Sequence, residues 1–500
     1  MRSKKAIINT IAGLSYELVV IICGFILPRL ILRAFGSDYN GVTSAITQFL
    51  GYVALLKAGI GGVTKAALYK PLAEKNKLEI SGIVNATECF LRKVSIIFLG
   101  SLFVFATIYP YLVKNNFDWF FTFTLILIIG ISSFAQYFFG LSYQLILHAD
   151  QRQGVVYVIQ IVTTLINTVL AAILINFGFG IHVVKLASSL IFCLNPIFIR
   201  QYAKHYYNID KTVPPNMEVI KERWDCFGLQ VANFVNSNTD MLVLTAFTNV
   251  FIVSVYTVYH MVTSGIRQVM NTFVNGLGAA FGDMFARGEN DIAKKNMLIF
   301  EQIVFGISNF FFSVCLVMIV PFAELYTKNV NDINYVRYPF AYVSTIAVLF
   351  TCYRIPYQAI VEAIGHFKQT RNGAFFEAGL NIVLSVIFVN ILGLIGVAIG
   401  TLAAAVFRTF QYCIYVSRYV IKRSLWILIK RLILSSITII LVYIFYHIMN
   451  LKKEDTYLQL ILNSVIVSAF AFFIVFLIEF VFYRKTLLLT KIKLLRAIKH

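Results

Sequence analysis

The chain has 500 residues, of which 59% are hydrophobic and 13% charged, with 46 Phe and a mean hydropathy of +0.79. That charged share is about half of what soluble domains carry, so a soluble globular fold is excluded and a polytopic membrane protein is expected. The formal net charge of +20 suggests nucleic acid as a partner, but the distribution of the charge, set out below, assigns it to membrane topology. The seven cysteines lie in or at the ends of apolar stretches without close pairing, which argues against a disulfide framework or a metal motif. No metal and no resident cofactor is expected.

A spanning helix needs about 20 mostly apolar residues. In chain order such stretches fall at 6–34, 39–58, 85–112, 117–147, 153–177, 180–203, 225–249, 251–282, 296–323, 335–364, 373–392, 394–420, 427–449 and 457–483. The opening MRSKK leads into the first of them without a small-residue cleavage pattern, so no cleavable signal is expected. The apolar runs are continuous and do not alternate, which excludes a lipid-facing β-barrel. The fold class is therefore an all-α integral membrane protein with about fourteen spans.

Ionisable groups inside spans are candidates for function, because hydrocarbon penalises charge. Span one carries Glu17 and, in ILPRLILRAFG, Arg29 and Arg33 on one helix face. Arg29 is about 20 residues from the start of the span, roughly 30 Å along a helix. It belongs near the outer interface, as a snorkelling side chain or as an exit-side anion site. Lys57 closes span two, and Lys185 lies inside span six. The polar segment KHYYNIDKTVPPNMEVIKER (204–223), with Pro214-Pro215, is the expected interlobe hinge.

Span seven reads QVANFVNSNTD and places Asn233, Asn236 and Asp240 on one face. Span eight carries Tyr256, His260, Ser264, Arg267, Asn271 and Asn275 at steps of three or four, again one face. Two polar stripes point to the wall of a water-filled cavity; interhelical polar glue is the bland alternative. Arg354 precedes Pro356 by two residues in CYRIPYQ, where proline frees a backbone carbonyl. Arg408 lies mid-span in AAAVFRTFQY. For both arginines the competing reading is a structural ion pair with a glutamate. Glu88, Glu301, Glu362, Glu377 and Glu479 fall near span ends, where they can snorkel, and are not taken as site residues. Surplus deep cations suit an anionic substrate, since arginine matches phosphate oxygens in pairs.

With the N-terminus inside, 30 of the 43 Lys and Arg fall on the inner side and 7 on the outer. This is a strong positive-inside bias and puts both termini in the cytoplasm. The tail YRKTLLLTKIKLLRAIKH (483–500) reads as a basic amphipathic helix on the anionic inner leaflet. Tyr143-Gln144, Ala149, Asn167, Leu170 and Asn176 recur as Tyr357-Gln358, Ala363, Asn381, Leu384 and Asn390, always 214 residues on. LILRAF (30–35) recurs as LVLTAF (242–247), 212 on. The expected organisation is an N-lobe of six spans (1–205), a cytoplasmic linker (206–224), a C-lobe of six spans (225–421), two further spans (422–484) and the tail (485–500). Two like-oriented lobes are a transporter architecture, with substrate exposed to each side in turn.

The ordered stretches ILPRLILRAFGSDYNGV, GYVALLKAGIGGVTKAALYKPLA, LILHADQRQ, NSNTDMLVLTAF and RIPYQAIVEAIGHFKQT resemble the polysaccharide transport family of oligosaccharide flippases (Wzx-type, of the MOP exporter superfamily). The resemblance covers essentially the whole chain. It implies a transporter, not an enzyme, that flips a polyprenyl-pyrophosphate-linked oligosaccharide outward across a bacterial cytoplasmic membrane. Capsule, O-antigen or exopolysaccharide assembly would follow, with polysaccharide-assembly enzymes and membrane lipids as partners. It implies Arg267, Arg354 and Arg408 as the pyrophosphate site. Arg29, Lys57, Tyr256, Asn233 and Asn271 complete the expected substrate contacts, and Asp240 and Glu17 are the carboxylates for proton or sodium coupling. The alternatives are a multidrug extruder of the same superfamily, for which acidic cavities are expected, and a membrane-embedded glycosyltransferase or polymerase, for which the outer loops are short.

Overall fold

The computed structural model describes residues 2–53, 60–112, 117–150, 152–220, 238–286, 290–364, 366–449, 451 and 455–498. These residues form helices and connecting turns, with no strand among them. In chain order the helices are α1 (Arg2–Phe35), α2 (Ser37–Val53), α3 (Ile60–Glu74), α4 (Lys77–Leu112) and α5 (Trp119–Ala135). A π turn, Gln136–Gly140, carries α5 into α6 (Leu141–Ala149), followed by α7 (Gln153–Asn176) and α8 (Ile181–Tyr207). Residues 238–247 are helical (α9). Then come α10 (Val250–Ala286), α11 (Asn290–Tyr326), α12 (Tyr338–Tyr353), α13 (Ile355–Ala363), α14 (Phe367–Leu392) and α15 (Leu394–Tyr415). The last two are α16 (Trp426–Ile448) and α17 (Tyr457–Ile498).

Among the described residues, ten helical stretches are long and apolar enough to cross a membrane: α1, α4, α5–α6, α7, α8, α11, α14, α15, α16 and α17. The chain is a multi-pass membrane protein. Other expected spans are shorter or more polar: α2 has 17 residues, α12 has 16, and α10 carries the polar stripe. Large apolar side chains stay exposed along the spans, such as Ile96 on α4, Val169 on α7 and Phe472 on α17. In water such surface would be a liability, but facing lipid it is the requirement.

Two boundaries differ from the sequence reading. The inner loop expected after Lys57 contains a helix, α3, whose Leu68 is wholly buried against Ile83 and Tyr143. Helix α4 starts at Lys77, eight residues earlier than expected, because Asn76 is a side-chain N-cap. Asn76 Oδ1 accepts the Glu79 N–H at 3.2 Å, while its Nδ2 donates to the Glu79 carboxylate at 3.2 Å.

The chain divides into two compact units, Met1–Val255 and Tyr256–His500. In the first, α1 packs along α7 and the α5–α6 span packs against both α4 and α8. In the second, α14 packs on α15, α12 on α15, and the added pair α16 and α17 on α11. Helix starts repeat along the chain: Lys77 and Asn290 open α4 and α11, 213 apart, and Gln153 and Phe367 open α7 and α14, 214 apart. The fourth span is broken at one register in both halves. The π turn of the first half ends at Gly140, and the α12–α13 break of the second falls 214 residues on, at Arg354.

Close contact between α14 and α15 depends on two glycines four residues apart, the small-xxx-small spacing of membrane helix pairs. A Cβ at Gly396 would lie 2.1 Å from the Phe388 carbonyl oxygen, and one at Gly400 would lie 2.4 Å from Ser385 Oγ. Gly400→Val is therefore expected to cost about 1–3 kcal/mol by overpacking. A thermal-unfolding midpoint in detergent equal to that of the parent chain would refute this.

Candidate functional site: an arginine cluster in the second unit

The polar stripe of α10 is formed as its spacing implied, though not uniformly buried. Tyr256 is buried and stacks on His260 with ring centroids 5.3 Å apart, His260 and Asn271 are exposed, and Arg267 is half-buried. Asn275 is helical, and Asn236 lies outside the described residues. Among the described residues no carboxylate pairs with Arg267. Its guanidinium lies within electrostatic reach of Arg354, Cys352 and Tyr256.

Arg354 sits at the break between α12 and α13, where its backbone caps α12 while Pro356 starts the next helix. Its Nη1 binds Glu377 Oε1 at 2.5 Å. Arg408, on α15, reaches the other oxygen of the same carboxylate at 3.4 Å. Arg408 is almost fully buried and is held by the Thr370 carbonyl and the Tyr412 hydroxyl at 2.9 Å each, and by Gln411. The ion-pair reading thus holds for both arginines, and their partner is a glutamate that its place near a span end had excluded from the site. Two arginines share one carboxylate, so among the described residues the three arginines keep two positive charges in surplus.

The remaining described candidates belong to the first unit. Glu17 is on α1 of the first unit, within electrostatic reach of Tyr16 and Tyr157. Asp240 is on α9, Arg29 is half-buried one residue after Pro28 in α1, and Arg33 is exposed. Lys185, half-buried on α8, pairs with no carboxylate among the described residues. Lys57 and Asn233 lie outside the described residues.

Two further glutamates that the sequence reading passed over are charge hubs. Glu88 on α4 accepts from Arg92 at 2.9 Å, the Tyr143 hydroxyl at 3.0 Å and Lys211, with Arg200 3.9 Å away. Glu301 on α11 accepts from Arg423 through both its oxygens, with Arg431 3.7 Å away and Tyr357 beside it. Glu88 and Glu301 are 213 residues apart, Tyr143 and Tyr357 are 214, and Lys211 and Arg423 are 212. Each half thus ties the segment after its sixth span to the same place on its third. In the first half the tie is a strap: Asn85 Nδ2 donates to the Asp210 and Val213 carbonyls at 2.9 Å, and Asn216 N–H to the Gly82 carbonyl at 3.1 Å. The Asp210 carboxyl is pulled below its ordinary range by the Thr212 backbone N–H and hydroxyl. The expected hinge is therefore fixed to α4 over residues 210–216.

Comparison with solved structures places the fold. The chain is similar to the lipid II flippase MurJ in an inward closed conformation, with a TM-score of 0.72 at 14% identity, over 96% of this chain and 100% of that one. It is similar to an inward-facing multidrug resistance MATE family transporter of the MOP superfamily, with a TM-score of 0.64 at 14% identity over 82% and 98%. A third similar structure is a MOP superfamily transporter from Pyrococcus furiosus noted for reverse polarity of its binding pocket, with a TM-score of 0.55 at 14% identity over 84% and 95%. The sequence matches no protein-family model and no curated protein sequence. At this identity the likeness is one of fold: the chain has the MurJ- and MATE-like all-α membrane-transporter fold.

Proposed function

We propose that the protein is a flippase that moves a polyprenyl-pyrophosphate-linked oligosaccharide from the inner to the outer leaflet of a bacterial cytoplasmic membrane, by alternating access. The observation that carries this reading is the surplus positive charge, among the described residues, of Arg267, Arg354 and Arg408 around the carboxylate of Glu377. In this reading Arg267 and Arg354 contact the pyrophosphate, and Arg408 positions Glu377. Charge-assisted, paired hydrogen bonds make arginine the suitable residue for such a group. Tyr256 and Asn271 line the same helix face for contact with sugar.

The lipid tail calls for an apolar path, and one exists within the second unit. A cleft of about 250 Å³ runs between α12 and α16, lined by Leu349, Phe350 and Tyr353 on one side and Leu432, Ile439 and Ile440 on the other. Tyr353 ends α12 and Arg354 follows it directly. Moving a head group with about two negative charges outward is favoured by an inside-negative potential, by about 4.6 kcal/mol at roughly 100 mV. Glu17 and Asp240 are the carboxylates proposed for coupling to a proton or sodium gradient.

A multidrug extruder shares this fold, but an organic cation would meet like charges at this cluster. The test is reconstitution in vesicles with a fluorescent polyprenyl-pyrophosphate oligosaccharide and, separately, a lipophilic cationic dye. Leaflet exchange of the first without transport of the second is expected. Transport of the dye alone would replace the flippase reading with the extruder.

A further inference from the structure

The paired hubs differ in one respect that points to a ligand. In the second half, Glu301 is fully buried, and its cations Arg423 and Arg431 are 9% and 3% exposed, with α16 supplying the second of them. Among the described residues of the first unit, no further helix covers the hub. Arg92, Arg200 and Lys211 are 50%, 25% and 39% exposed around Glu88. Lys204 stands in the field of all three. Asp210, next to Lys211 in the chain, is occupied by Thr212 N–H and Oγ1 at 2.8 Å each. Among the described residues, four cations around one carboxylate leave three positive charges without a counterion.

These charges lie over a groove. The α5–α6 span separates α4 from α8, and its π turn forms the floor. Arg92 lies over the Phe138 ring at 5.4 Å and Arg200 over the Phe139 ring at 5.7 Å. The π turn is fixed in place because Gly140 seats against Pro196, where a Cβ would fall 2.4 Å from the proline ring. Arg200 Nε is buried without a hydrogen-bond partner. One turn further along each wall the helices present an exposed apolar side chain, Ile96 on α4 and Ile197 on α8. Cationic heads at the rim, an aromatic floor and apolar walls running away from it match a phosphate headgroup with its chain in hydrocarbon.

We infer that the groove between α4 and α8 binds the phosphate headgroup of a membrane lipid, through Arg92 and Arg200, with Glu88 holding both arginines in place. The charge bias puts this groove at the cytoplasmic face. It lies in the first unit, uses none of the residues proposed for translocation, and stands if the flippase reading fails.

The experiment uses the full chain in phosphatidylcholine nanodiscs, titrated with fluorescent phosphatidic acid and, separately, with polyprenyl pyrophosphate. Saturable binding is expected, weakened about tenfold or more in R92Q/R200Q by loss of two charge-assisted donors. R92K/R200K keeps the charge and the fold but loses paired donation, and is expected to fall in between. R418Q/K422Q, which removes two exposed charges from the second unit, is expected to bind like the parent. Whichever probe binds more tightly identifies the source of the headgroup as bulk phospholipid or lipid-linked sugar carrier. Equal affinity in R92Q/R200Q, or an equal loss in R418Q/K422Q, would overturn the site.

Discussion

Replacing Arg267 with Ala is expected to slow leaflet exchange of the lipid-linked oligosaccharide by about 30- to 150-fold, the equivalent of about 2–3 kcal/mol for truncating one partner of a desolvated charge pair. Arg267 has no carboxylate among the described residues to satisfy it, so its donors remain for an anion. Arg267→Lys should recover part of the rate, since the charge survives and paired donation does not. Arg354→Ala should cost less in exchange, because Glu377 already holds one Nη1 at 2.5 Å. Dithionite quenching of outer-leaflet probe in proteoliposomes measures all three rates. Parent-like exchange in Arg267→Ala would end the role assigned to this cluster.

The largest loss of stability is expected from Glu301→Gln. The substitution keeps shape but leaves Arg423 and Arg431, 9% and 3% exposed, without their shared anion. Removing one partner of a buried ion pair costs about 3–5 kcal/mol, because the remaining charge cannot return to water. Glu88→Gln makes the internal comparison. Its cations are half-exposed, so solvent screens them and the cost should be at most about 1 kcal/mol. Thermal unfolding of the two variants in one detergent settles the matter: similar losses at both sites would mean that burial does not set the strength of these hubs.

Much of the architecture is legible in the residues. Apolar runs of about 20 have no other stable home than a bilayer, and the 212–214 offset marks a repeated unit before any helix is drawn. The polar stripe from Tyr256 to Asn271 follows from its three- and four-residue steps alone. The N-cap at Asn76 is equally local, and would have placed the start of α4 at Lys77. The hubs are not local. Glu301 meets Arg423 across 122 residues and Glu88 meets Lys211 across 123, and no periodicity reports a contact at that range. Position near a span end argues for a snorkelling glutamate, and that argument failed three times, at Glu88, Glu301 and Glu377. The repeat held the missing signal: Tyr143 and Tyr357 already stood in register, and extending the comparison to Glu88 and Glu301 would have marked both hubs as built features.

The strap that ties Lys211 to Glu88 also imposes an order on biosynthesis. A ribosome delivers Glu88 to the membrane long before Lys211 exists, and Glu301 long before Arg423 and Arg431. Each carboxylate must therefore wait, neutralised or close to water, until the last segment of its half emerges. In the second half the closing cation acts as a checkpoint: without its final stretch Glu301 loses Arg423 and Arg431, whereas Glu88 keeps Arg92. Nascent chains arrested between Ala405 and Ile421 should accordingly be cleared by membrane proteases, whereas chains arrested a few turns past Arg431 should persist.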